Sequence, residues 1–74
     1  MNFQNERPIY LQIVEQMEME IMSGHYPKGS KLPTVRELAM QYKVNPNTMQ
    51  KAFVELEQRG LVFAKRTSGR YVSE

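Results

Sequence analysis

The chemistry that this sequence offers is polar recognition. Three polar residues, Asn47, Gln50 and Lys51, are spaced so that they share the outward face of one predicted helix. Their amide and ammonium groups are of the type that binds base edges or phosphates in nucleic acids. A helix face that is merely solvated would have the same composition, so both interpretations stay open on this triplet alone.

A second candidate group is a short basic turn near the end of the chain. Its members are Lys65, Arg66, Ser68, Gly69 and Arg70. Cations on a projecting loop suit a DNA backbone or minor groove, and the glycine allows close backbone approach. The alternative is a basic turn that only keeps an edge strand soluble.

Arg36 is a third candidate, because an arginine that reaches DNA prefers a guanine edge or a phosphate. Its alternative is an ordinary surface arginine beside Glu37 or Glu57.

Residues that would support catalysis or metal binding form no recognisable pattern. His25 is the only histidine, and the absence of cysteine excludes disulfides and thiolate zinc sites. The phosphate-binding motifs G-x-x-x-x-G-K-[ST] and G-x-G-x-x-G do not occur. We therefore expect no enzyme activity, no cofactor and no metal.

Three helices must position the candidate residues. Their predicted ranges are about 9–22, 34–42 and 46–59. Thr34 and Glu37 form a capping box at the start of the second helix, and Asn45-Pro46 is a start signal for the third. A short turn separates these two helices, which predicts a helix-turn-helix.

Apolar spacing predicts which helix faces lie in the core. For the first helix the predicted stripe is Ile9, Ile13, Met17 and Ile21, with Gln12 facing elsewhere. For the third helix the inward residues are Met49, Ala52, Phe53 and Leu56, which leaves Asn47, Gln50, Lys51 and Val54 outward. The helix start is also expected to offer backbone N–H donors to a phosphate.

The tail changes to a strand-like pattern. A hairpin is predicted over about 61–73, with Leu61, Phe63 and Val72 packed against the helices. A short strand at Lys31-Leu32 is also compatible with the pattern. The fold class is therefore mainly α with a small β-hairpin: a winged helix-turn-helix that occupies residues 1–74 as a single domain.

Charge is divided unevenly along the chain. Residues 1–24 carry one basic and four acidic residues, a net charge of −3, whereas residues 25–74 carry nine basic and four acidic residues, a net charge of +5. This asymmetry favours a polyanionic partner, although a mixed solvated surface is the alternative. The apolar runs are too short to span a membrane, and no signal peptide is evident, so we expect a cytoplasmic protein.

The sequence resembles the N-terminal domain of GntR-type regulators over nearly its whole length. The stretches that carry the resemblance are RPIYLQIVEQ, IMSGHYPKGSKLPTVRELA, VNPNTMQKAFVELEQRGLV and SGRYV. The G-x-x-x-x-G-x-x-L-P stretch, the R-E-L-A helix and the G-x-Y-V ending occur in the family's order. The opening P-I-Y-L-Q-I and the VNPNT stretch look most like the YtrA subfamily.

The resemblance implies roles for four matching residues. Thr34 stands where the family has a phosphate-binding serine, and Thr48 matches a phosphate-binding threonine. Arg36 matches an arginine that reads a guanine. Gly69 matches the wing glycine that approaches the minor groove.

The chain also departs from the wider family. Pro46 and Gln50 stand where arginines are common in the recognition helix, so a relative's operator sequence is not carried over. Family members have a C-terminal domain for dimerisation or effector binding. This chain ends at Glu74, just after the wing, so we expect that segment to be absent from it.

These observations lead to one principal hypothesis and one rival. We expect the sequence-specific DNA-binding domain of a bacterial transcriptional regulator, a repressor, which binds a palindromic duplex as a homodimer in its full-length context and has no membrane partner. The rival is a winged helix that binds protein, through Met19, Met40 and the acidic first helix. The predicted DNA-binding residues are Thr34, Arg36, Asn45, Asn47, Thr48, Gln50, Lys51, Lys65, Arg66, Ser68, Gly69 and Arg70.

Overall fold

The computed structural model describes residues 6–74, and within them three helices precede a two-stranded hairpin. In chain order the elements are α1 (Ile9–Met22), α2 (Val35–Tyr42), α3 (Pro46–Gln58), β1 (Val62–Lys65) and β2 (Gly69–Val72). The predicted order and type of these elements are confirmed. No helix in this part of the chain is long and apolar enough to cross a membrane.

The starts of α2 and α3 follow from local side-chain chemistry. Thr34 Oγ1 accepts the Glu37 backbone N–H at 3.1 Å, and Glu37 Oε1 accepts the Thr34 N–H at 2.9 Å. This is the predicted capping box. Asn45 Oδ1 accepts the Asn47 N–H at 2.7 Å, and Pro46 occupies the first turn of α3. The two helices therefore begin where the sequence predicts.

The core lies between the three helices and the inner side of the hairpin. α3 is central, because it packs against α1, α2 and β1. Its four predicted inward residues, Met49, Ala52, Phe53 and Leu56, are fully buried. With this face committed to the core, the opposite face of α3 is left for solvent or for a ligand.

The predicted apolar stripe of α1 is displaced around the helix. Ile9 is 42% exposed, whereas Ile13, Val14 and Met17 are fully buried. The prediction that Gln12 faces away from the core is wrong, since this residue is buried and its Nε2 donates to the Arg7 backbone oxygen at 2.9 Å. That hydrogen bond gives the amide nitrogen a partner, which allows a polar residue to sit beside apolar neighbours.

The hairpin buries a different residue from the one predicted. Val62 pairs with Val72 in the antiparallel register, and both side chains are buried. Phe63 was expected to pack against the helices but is 39% exposed, and its ring stacks on that of Tyr71 at 5.8 Å. Residues paired in register share one face of a sheet, so docking the valine pair inward forces the Phe63 and Tyr71 pair outward.

The segment before α2 ties the hairpin to the helix-turn-helix. Lys31 forms a bridge with Tyr71, and the Leu32 N–H donates to the Arg70 backbone oxygen at 2.8 Å. The Val72 N–H donates in turn to the Ser30 backbone oxygen at 2.9 Å. The short strand compatible with the sequence at Lys31-Leu32 is thus a single bridge, and it joins β2 to the start of α2.

Candidate nucleic-acid interface

The outward face of α3 carries the predicted recognition residues. Asn47, Gln50 and Lys51 are all exposed, and Val54 beside them is 43% exposed. They are exposed because the opposite face of the helix, formed by Met49, Ala52, Phe53 and Leu56, is fully buried. The face therefore presents amides, an ammonium group and one apolar side chain to solvent.

Lys51 is positioned by a contact with α1. Its ammonium nitrogen lies 4.4 Å from the centroid of the Tyr10 ring, within the range of a cation–π interaction. Tyr10 is half-buried against the core, so its ring is a fixed platform. Tyr10 is not among the site residues predicted from the sequence, and no local signal indicates it because Tyr10 and Lys51 belong to different helices.

The backbone at the start of α3 offers fewer donors than expected. Pro46 has no N–H, the Asn47 N–H donates to Asn45 Oδ1, and the Thr48 N–H donates to the Asn45 backbone oxygen at 2.9 Å. The expectation that this helix start gives backbone N–H groups to a phosphate is therefore wrong. Only side chains, such as the half-buried Thr48 and the exposed Asn45 amide, remain there for a ligand.

The start of α2 differs in this respect. The Val35 and Arg36 N–H groups have no acceptor within residues 6–74, and the exposed Arg36 guanidinium has no hydrogen-bond or ion-pair partner there. The Thr34 hydroxyl accepts the Glu37 N–H in the cap and also hydrogen-bonds to the Glu37 carboxyl. Two N–H groups and a guanidinium at one helix N-terminus are suited to an anion.

Hydrogen bonds from Thr34 to Glu37 lower the pKa of the Glu37 carboxyl, with the backbone N–H as the larger cause.

The wing tip, the turn of residues 65–69 that joins β1 to β2, presents cations and is held by contacts with Tyr71. The Lys65 ammonium lies 4.5 Å from the Tyr71 ring centroid, and the Tyr71 hydroxyl donates to Ser68 Oγ at 3.0 Å. Arg66 is exposed and has no ion-pair partner in the described part of the chain. Gly69 has φ +116°, which L side chains rarely adopt, and a Cβ there would lie 3.2 Å from Lys31 Cε.

Arg70 differs from the other predicted wing residues. Its Nε donates to Glu57 Oε1 at 3.0 Å, and the centre of its guanidinium lies 4.6 Å from the Phe53 ring centroid. The side chain therefore points from β2 towards α3 and not along the tip.

Most of the cations without an acidic partner in residues 6–74 belong to the outward face of α3, the start of α2 or the wing. Of the ten lysines and arginines, Arg7, Arg59 and Arg70 form ion pairs. Those without an acidic partner in residues 6–74 are Lys28, Lys31, Arg36, Lys43, Lys51, Lys65 and Arg66. Lys31 is not among the residues predicted from the sequence, and the structure places it next to the wing through its bridge with Tyr71. Charge not neutralised within the protein is available to a polyanion.

The fold and the site define a class of protein. Two helices joined by the three residues 43–45 are followed by a hairpin with a basic tip, and the outward face of the second of these helices is polar. This arrangement is a winged helix-turn-helix of the type that places its recognition helix in a major groove.

Comparison with known proteins gives the family. The model of "Bacterial regulatory proteins, gntR family" matches residues 9–72, so the chain belongs to the GntR family of bacterial transcriptional regulators. The repressor YtrA of Bacillus subtilis is 48% identical over 67 residues, which cover 90% of this chain and 52% of YtrA.

Solved structures agree with this assignment. A GntR family transcriptional regulator from Listeria monocytogenes superposes with a TM-score of 0.91 at 44% identity, covering 97% of this chain and 63% of that one. The DNA-binding domain of AraR in complex with operator ORR3 gives a TM-score of 0.86 at 29% identity, covering 99% of this chain and 88% of that one. The winged-helix prediction is confirmed. The chain spans about half to three fifths of the length of YtrA and of the Listeria protein.

Proposed function

We propose that this domain binds duplex DNA sequence-specifically and represses transcription, without catalysing a reaction, in the bacterial cytoplasm. The observation that carries the proposal is the outward face of α3, where Asn47, Gln50 and Lys51 are exposed. Cations without an acidic partner in residues 6–74 also occur on α2 and the wing. The operator complex of the AraR domain, which has the same fold, supports the proposal. The repressor name of YtrA supports the sign of regulation.

The outward face of α3, the start of α2 and the wing tip have separate roles in this proposal. Asn47 and Gln50 read base edges in the major groove, while Lys51 holds a phosphate. Arg36 reads a guanine from the start of α2, where Thr34 contacts a phosphate. The wing tip, with Arg66 and the close-approaching Gly69 backbone, follows the adjacent minor groove.

Selection from a random duplex pool tests specificity. The purified 74-residue chain is used to enrich duplexes, and the preferred sequence is then titrated against a scrambled duplex of the same composition at two salt concentrations. We expect the preferred duplex to bind more tightly at both. A charge-only binder would hold both duplexes equally with a steep salt dependence. No affinity for either would favour the protein-binding alternative.

We further propose that the full-length protein binds a palindrome as a homodimer. One module of this size buries only about 600–1,000 Å² of protein surface on DNA, which limits its affinity. A dimer makes the second half-site effectively intramolecular and raises avidity by about 10²–10⁴. On α1, Glu18 pairs with Arg59 and Glu20 accepts from Tyr42. We expect this acidic side not to form the dimer interface.

Sedimentation and DNA binding test the dimer proposal. We expect the 74-residue chain to sediment as a monomer and to bind a palindrome little better than a half-site. The same chain fused to a dimeric coiled coil should bind the palindrome far more tightly. A tight dimer formed by the 74 residues alone would contradict this assignment.

A further inference from the structure

The two faces of the hairpin have different partners. Strand alternation places Val62, Val72 and Arg70 on the inner face, towards the helices, and Phe63 and Tyr71 on the outer face. Lys65 also belongs to the outer face, since its ammonium lies over the Tyr71 ring. The outer side chains thus contact one another within the wing, whereas the inner side chains face the helices.

The inner face of the hairpin is buried at its base and becomes exposed towards the tip. At the base, the buried pair Val62 and Val72 packs in the core. Towards the tip the next inner pair is Ala64 and Arg70, and Ala64 is exposed. An isolated two-stranded hairpin is marginally stable, so this wing needs attachments to the rest of the domain. Its backbone is tied at Tyr71 and Arg70 to the segment before α2. The Arg70 side chain adds a link to α3, through Glu57 and the Phe53 ring.

We propose that Arg70 is a positioning residue that fixes the wing against the recognition helix, and that its ion pair with Glu57 thereby sets which base pairs the wing tip reaches. The proposal rests on the proposed function, and it replaces the DNA contact first expected for Arg70. Phe53 is fully buried in the core and Glu57 lies on α3 itself. A rigid link from β2 to these two residues gives wing and recognition helix one relative position.

The environment of Arg70 favours this role over direct contact with DNA. Its side chain is 22% exposed, and its charge is compensated by the Glu57 carboxylate. A phosphate would have to compete with that carboxylate for the guanidinium. Arg66 is exposed and uncompensated two residues before Ser68, so the wing already has a better phosphate ligand.

The variant Glu57→Gln distinguishes a positioning role of Arg70 from a direct contact of Arg70 with DNA. The matched control is Glu55→Gln. Both changes remove one negative charge from α3, and both disrupt an ion pair with a nitrogen–oxygen distance of 3.0 Å. The Glu55 partner is Arg59, next to the end of α3, so the control does not touch the wing. Thermal unfolding first establishes that both variants are folded.

The first measurement uses the free protein, so it does not depend on DNA binding. We expect the backbone ¹⁵N order parameters of residues 63–70 to fall in Glu57→Gln from about 0.85 towards about 0.6, and to stay unchanged in Glu55→Gln. Wing order parameters that are equal in the two variants would overturn the proposal. This outcome is distinguishable from failure of the proposed function, which would appear as absence of duplex binding by the unaltered chain.

The second measurement uses the duplex selected from the random pool. Base pairs whose preference disappears in Arg66→Ala define the positions that the wing tip reads. At these positions we expect Glu57→Gln to lose about threefold to tenfold in discrimination, the size of a cation–π or exposed ion-pair contribution. Discrimination at the base pairs that α3 reads should be unchanged. If Arg70 instead contacted DNA, Glu57→Gln would release it, and binding would become tighter than in Glu55→Gln.

Exchanging the charges gives the decisive comparison. Arg70→Glu alone should loosen the wing, and the double variant Glu57→Arg with Arg70→Glu should restore both the order parameters and the discrimination at the wing positions. A residue that contacts phosphate could not be rescued in this way, because the double variant places a carboxylate on β2. Binding by the double variant as weak and as unselective as that of Arg70→Glu would overturn the proposal.

Discussion

At the residue scale, the cationic side chains of Arg36 and Lys51 differ in whether another side chain holds them in place. The Arg36 guanidinium has no partner in the described part of the chain, whereas Lys51 is held over the Tyr10 ring. A free guanidinium can adopt the geometry of a bidentate contact with guanine, which carries sequence information. An ammonium on a fixed platform is a point charge, which suits a phosphate.

Arg36→Ala should reduce specificity more than affinity. The loss expected for a bidentate guanine contact is about 1–3 kcal/mol of discrimination between the selected and scrambled duplexes. Arg59→Ala is the control, because it removes the same charge from a guanidinium already bound to Glu18 and Glu55. Competition titrations measure both. An unchanged preference in Arg36→Ala would show that this arginine does not read a base.

Lys51→Ala should weaken binding to all duplexes alike. Loss of one phosphate contact lowers the slope of log affinity against log salt by about one. Lys28→Ala is a suitable control, since Lys28 lies beside Gly60 and Leu61, just beyond the end of α3. Titrations at four salt concentrations give the slopes. A loss confined to the selected duplex would assign base recognition to Lys51.

At the scale of elements, the positions of α2 and α3 depend on how each helix begins. The capping box holds the start of α2 and still leaves the Val35 and Arg36 N–H groups without acceptors among residues 6–74. At α3 the Asn45 cap and Pro46 use or remove the corresponding groups. Of these two helices, α2 is therefore the one whose backbone and dipole are available to a phosphate.

Thr34→Ala should destabilise the domain by roughly 0.5–2 kcal/mol, the usual effect of losing an N-cap hydroxyl. Thr34→Ser is the matched control, because serine keeps the oxygen that accepts the Glu37 N–H. Urea unfolding monitored by circular dichroism measures the difference. Equal stability of the two variants would mean that the cap contributes little to α2.

At the scale of the whole molecule, α1 holds α2 in place through a polar contact at the edge of the core. The Tyr42 hydroxyl donates to Glu20 Oε2 at 3.1 Å, and the Gln16 amide donates to the same oxygen at 3.3 Å. His25 lies 3.6 Å from the other oxygen of Glu20. Burial, and secondly the charge of Glu20, raises the pKa of the Tyr42 hydroxyl. The contact therefore depends on a neutral tyrosine.

The domain should lose stability in alkaline solution. A group whose pKa is raised by folding contributes stability that is complete below its unfolded pKa, about 10 for tyrosine, and is lost as pH rises above it. Tyr42→Phe should be less stable at pH 8, where it lacks the hydrogen bond, but should decline less steeply above pH 10. A smaller decline remains because burial also raises the pKa of Tyr26. Urea unfolding at pH 8, 10 and 11 tests this, and identical slopes for both proteins would contradict it.

The sequence by itself determined the helices, their caps and the two faces of α3. These features are encoded within one or two turns: a capping box spans four residues, and the 3.6-residue period is repeated along the 13 residues of α3. Once Met49, Ala52, Phe53 and Leu56 are inward, the outward position of Asn47, Gln50 and Lys51 follows from helix geometry. Nothing distant is needed for that inference.

Only the tertiary structure decided the inner face of the wing and the partners of its cations. The run Leu61-Val62-Phe63-Ala64 has no polar alternation, so its face is fixed by the register of Val62 with Val72 and by docking on the helices. The same holds for the contacts of Lys51 with Tyr10 and of Arg70 with Glu57. Each joins two different elements, and local sequence cannot specify which side chains meet when separate elements pack.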